Sequence, residues 1–98
     1  MAKIVVTGVK NREKAEKLVI TILKERLKEV RNSISQLLNK LKKLEEKYGM
    51  TWKEFKVRFE KGDLPDDADR DYVEWEAVVT LLKELKEEEQ LLCEILEF

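Results

Sequence analysis

Apolar residues recur every seven positions along the first half of the chain. Two interleaved series form this frame: Ile20, Leu27, Ile34, Leu41 and Tyr48, and Leu23, Val30, Leu37 and Leu44. This is the a/d pattern of a helix that packs lengthwise against another helix, and three further apolar residues widen the stripe: Val19, Ile22 and Leu38. Asn11 suits an N-cap and Gly49 suits the left-handed position after a C-terminus, so the pattern predicts a long helix over residues 11–48.

A short second helix is predicted directly after the first. Thr51 is an N-cap residue and Glu54 stands three positions later, which makes the capping box that opens many helices. Met50 precedes the cap and Phe55 follows it, so these two side chains can form a hydrophobic staple. The start signals, followed by a glycine at the far end, predict a helix over residues 51–61.

A second long helix is predicted over residues 67–97. Pro65 precedes it, and carboxylates that complement the helix dipole crowd its N-terminal end: Asp66, Asp67, Asp69 and Asp71. The main apolar line follows a spacing of three and four residues: Trp75, Val78, Leu82, Leu85, Leu92 and Leu96. A second apolar flank consists of Val79, Leu81, Leu91 and Ile95.

The N-terminal segment, residues 1–9, reads as a short strand or arm. Ile4, Val5 and Val6 are β-branched, and Gly8 closes the run. No second strand is predicted anywhere else in the chain, and an unpaired strand leaves its backbone hydrogen bonds unmade. We therefore expect this segment to pair with its counterpart in another subunit.

The predicted fold class is mainly all-α. It is a long antiparallel helical hairpin with a short connecting helix and one short N-terminal strand, in a single domain of residues 1–98. Residues 10–47 carry twelve basic and six acidic side chains, whereas residues 66–98 carry three basic and twelve acidic ones. Because a helix of net charge +6 lies next to one of −9 in the predicted hairpin, the charges favour antiparallel pairing within the chain.

The composition limits the kinds of catalytic and metal site that this chain can form. The chain has no histidine and one cysteine, Cys93, so the usual zinc sites and the Ser-His and Cys-His nucleophile pairs are excluded. We expect no enzyme activity, no cofactor and no metal. The uncharged run from Ile4 to Val9 is too short for a membrane span, so we expect a cytoplasmic protein that does not contact membranes. Abundant lysine and glutamate resemble thermophile composition.

A family resemblance covers the C-terminal half. The residues that carry it are Lys47, Tyr48, Gly49, Met50, Phe55, Phe59, Gly62, Asp67, Glu74, Trp75 and Glu76. This pattern resembles a small group of uncharacterised prokaryotic helical proteins of antitoxin type, encoded beside a small toxin gene. The resemblance implies a partner protein of toxin type. In physical terms the same residues specify the end of one helix, a short helix that opens with a capping box, and the start of a third helix.

The sequence thus predicts a non-enzymatic protein–protein interaction module that forms a homodimer or a higher oligomer. The seam of the dimer or hairpin is predicted at Ile20, Leu23, Leu27, Val30, Ile34, Leu37, Leu41 and Leu44, and the dimer strand at Ile4, Val5 and Val6. The partner-binding residues are predicted to be Val79, Leu81, Leu91 and Ile95, with Cys93 nearby. Such a flank suits helix-in-groove packing.

The alternative function is a nucleic-acid-binding regulator that uses the basic face of the first long helix. Lysine and arginine side chains there could contact phosphates. No aromatic side chain lies among them for base stacking, and acidic residues such as Glu25 and Glu29 interrupt the stretch. We therefore favour the interaction module.

Overall fold

The computed structural model describes residues 4–97, and three α-helices make up 80% of them. Helix α1 is Arg12–Tyr48, α2 is Trp52–Glu60 and α3 is Ala68–Leu96, against predicted ranges of 11–48, 51–61 and 67–97. The all-α class predicted from the periodicity is confirmed.

The predicted N-terminal strand is wrong. Residues 4–11 contain no strand, and the first three residues of the predicted segment, among them Ala2 and Lys3, lie outside the described part. The backbone N–H of Val6 instead donates a hydrogen bond to Glu16 Oε1 at 3.2 Å. Ile4, Val5 and Val6 have strand-forming side chains, but propensity alone cannot build a ladder when no partner strand exists. The pairing of this segment with its counterpart in another subunit stays a prediction.

The chain divides into two compact units. The first comprises the described parts of Met1–Ile34 and Leu85–Phe98, and it joins the N-terminal segment of α1 to the C-terminal segment of α3. The two helical segments run antiparallel. Its buried core consists of Leu27, Val30, Ile34, Leu92 and Leu96. The α1 members all belong to the seven-residue frame, so the frame marks the face that packs on α3.

The second unit, Ser35–Glu84, contains α2 and the adjoining ends of α1 and α3. Gly49 ends α1 with a φ of 65°, a left-handed conformation that glycine adopts without steric cost. Thr51 then caps α2: its Oγ1 accepts a hydrogen bond from the Glu54 backbone N–H at 3.4 Å and donates one to Glu54 Oε1 at 3.2 Å. The capping pair predicted from the sequence thus sets the start of α2.

An aromatic cluster forms the core of the second unit. Phe55 of α2 and Trp75 of α3 are both fully buried, and their ring centroids lie 4.7 Å apart. Buried Leu44 and Ala68 complete the centre, and partly buried aromatic rings surround it: Tyr48, Trp52, Phe59 and Tyr72. Offset and edge contacts of this kind stabilise a core beyond the area they bury.

Candidate functional site

A bidentate ion pair joins α1 to α3 in the first unit. Arg26 Nε donates to Glu88 Oε2 at 2.5 Å, and Arg26 Nη2 donates to Glu88 Oε1 at 2.8 Å. The hydrogen bonds from Arg26 hold the pKa of the Glu88 carboxyl below its usual value. The same bonds raise the pKa of the Arg26 guanidinium. Because guanidinium and carboxylate match in fork geometry, this pair is a bidentate contact between the two helices.

A second arginine pairs with α3 in the same unit. Arg31 Nε donates to Glu89 Oε2 at 3.1 Å, and its Nη2 lies 3.5 Å from Cys93 Sγ. Two cations of the basic face of α1 are therefore held by carboxylates of the neighbouring helix, which reduces their availability to an external anion.

Exposed apolar residues continue beyond the Arg26–Glu88 pair. Leu18 is 61% exposed and Ile22 is 56% exposed on α1, while Leu91 is 59% exposed and Ile95 is 37% exposed on α3. We name these four residues the apolar strip. Single exposed leucines are common on soluble proteins, but four large exposed apolar side chains on two helices of one unit are a candidate interaction surface.

Helix geometry relates the strip to the Arg26–Glu88 pair. Ile22 lies four residues before Arg26, and Leu91 lies three residues after Glu88. Since the two helical segments are antiparallel, both steps lead in the same direction along the unit, and residues three or four apart share a face. One further turn leads from Ile22 to Leu18 and from Leu91 to Ile95. The strip therefore takes two residues, one turn apart, from each of the two helices.

The structure separates the predicted partner-binding residues. Leu91 and Ile95 lie one turn apart in the strip. Leu81 is 46% exposed but belongs to the second unit, and Val79 is half-buried against the aromatic cluster. Cys93 is half-buried beside Arg31. Sequence reasoning did not select Leu18 and gave Ile22 only a role in widening the seam, although their spacing of four residues outside the a/d frame was a usable signal.

The predicted seam residues lie at buried or half-buried positions. Leu27, Val30, Ile34 and Leu44 are buried, and Ile20, Leu23, Leu37 and Leu41 are half-buried. The buried members pack within the two units of a single chain, so the frame is used at least in part for intrachain packing.

No other kind of site emerges from the described residues. Between residues 4 and 97 there is no group of three or more cysteine, aspartate or glutamate side chains placed to hold a metal ion. Within the same range, no helix has the length and apolarity needed to cross a membrane. Comparison with protein-family models, curated proteins and solved structures gives no match to this chain.

Proposed function

We propose that this protein is a non-enzymatic protein–protein interaction module. The observation that carries the proposal is the apolar strip, which exposes two large side chains from each of two adjacent helices. Burying a leucine or isoleucine side chain contributes about 1.5–3 kcal/mol, so a partner that covers all four gains a useful binding energy. An apolar face on paired helices is the surface that a further helix contacts in helix-in-groove recognition.

The antitoxin resemblance supplies one candidate partner, a small protein of toxin type. Its support is the pattern around Tyr48, Gly49 and Trp75, which lies in the second unit, whereas the strip lies in the first. We infer a cytoplasmic location from composition, because a single cysteine cannot form an intrachain disulfide and nothing else calls for an oxidising compartment.

The nucleic-acid alternative is weakened by the pairing of Arg26 with Glu88 and of Arg31 with Glu89. Phosphate binding by these cations requires them to leave carboxylates they already contact. Binding of DNA or RNA that weakens steeply with rising salt and is lost in Arg26→Ala and Arg31→Ala variants would support that alternative instead.

Site-specific photocrosslinking inside cells tests the proposal. A photoreactive residue is placed at Leu18 or Leu91 in the strip, and at exposed Val73 in the second unit as a matched control. The proposal expects one defined protein to be crosslinked from both strip positions and not from Val73. Absence of any crosslink at both strip positions, with the protein folded and expressed, overturns it.

A further inference from the structure

We draw no further inference here: the strongest candidate, the exposed apolar strip of Leu18, Ile22, Leu91 and Ile95 on the first unit, belongs to the surface already described, and nothing in the structure shows what covers it.

Discussion

The ammonium group of Lys47 lies 2.6 Å from the carboxylate of Asp71, joining the last turn of α1 to the first turns of α3 within the second unit. The Tyr48 hydroxyl donates a hydrogen bond to the same carboxylate. Asp71 is only 8% exposed, so its charge depends on these partners. Lys47 first, and Tyr48 second, hold the pKa of the Asp71 carboxyl below its usual value.

Replacing Asp71 by asparagine should destabilise the protein at neutral pH by about 1–3 kcal/mol, since Lys47 and Tyr48 both lose a charged acceptor. An aspartate whose pKa is lowered by folding contributes stability above its unfolded pKa, near 3.8, and loses it as pH falls through the folded value. In urea unfolding, the unfolding free energies of the wild type and of Asp71→Asn should therefore converge once the pH lies below the pKa of Asp71 in the folded protein. Asp69→Asn, at an exposed position, is the control. A difference in unfolding free energy between the wild type and Asp71→Asn that stays constant at acidic pH would contradict the lowered pKa of Asp71.

Tyr48→Phe should cost about 1 kcal/mol at neutral pH, because it removes the donor to Asp71 while keeping the ring that lies 4.7 Å from Phe55. Burial, and then Asp71, raise the pKa of the Tyr48 hydroxyl above its usual 10.0. A group whose pKa is raised by folding contributes stability below the unfolded pKa and loses it as pH rises. Unfolding measured up to alkaline pH should show the difference between the wild type and the variant shrinking above pH 10.0. Equal stability of the two proteins at neutral pH would count against the hydrogen bond.

Thr51→Ala should destabilise the protein by about 1 kcal/mol through loss of the α2 cap. The alanine leaves the Glu54 backbone N–H without the acceptor that Thr51 Oγ1 provides. Thr51→Ser keeps an oxygen at that position and is the matched control, expected to unfold within about 0.5 kcal/mol of the wild type. Thermal unfolding monitored by circular dichroism is sufficient, and an alanine variant as stable as the serine variant would reject the cap as a stabilising contact.

Helix positions were predictable because periodicity and caps act locally. Leu27 and Val30 are buried where the seven-residue frame places them, and Thr51 caps α2 as its spacing from Glu54 indicates. The strand predicted at Ile4 and Val5 is not formed, because a strand depends on pairing with a second segment and the described residues contain none.

The candidate site was only partly predictable. Leu91 and Ile95 were selected as an apolar flank, whereas the exposure of Leu18 becomes visible only in the structure. The pairing of Arg26 with Glu88, 62 residues away in sequence, is likewise a tertiary contact that the sequence pattern does not reveal. Asp71 gives a similar lesson: its position near a helix N-terminus predicted a dipole contact, whereas its partners come from α1.

Trp75→Ala should be severely destabilising, by about 3–5 kcal/mol, because the side chain is fully buried in the aromatic cluster. Its Nε1 has no hydrogen-bond partner among the described residues, so Trp75→Phe sacrifices no hydrogen bond and should cost clearly less. Val73→Ala, two positions away and 69% exposed, should change the unfolding free energy by less than about 0.5 kcal/mol. Denaturant unfolding followed by circular dichroism ranks the three variants by their loss of stability. Equal losses in Trp75→Ala and Trp75→Phe would argue against tight packing around this side chain.

Two leucines of α1 should differ in how their effects depend on protein concentration. Leu27 is 3% exposed, so Leu27→Ala removes buried methyl groups and should lower the unfolding free energy by about 2–5 kcal/mol at any concentration. Leu18 is 61% exposed, so Leu18→Ala leaves the fold of the subunit intact and should lower stability only where the homodimer predicted from the sequence forms. Thermal unfolding across a wide concentration range measures both. The unfolding midpoint of the wild type should rise with protein concentration. The midpoint of Leu27→Ala should stay below that of the wild type at every concentration. The midpoint of Leu18→Ala should equal that of the wild type in dilute solution and lie below it in concentrated solution. A constant deficit for Leu18→Ala would instead assign this leucine to the core of the single subunit.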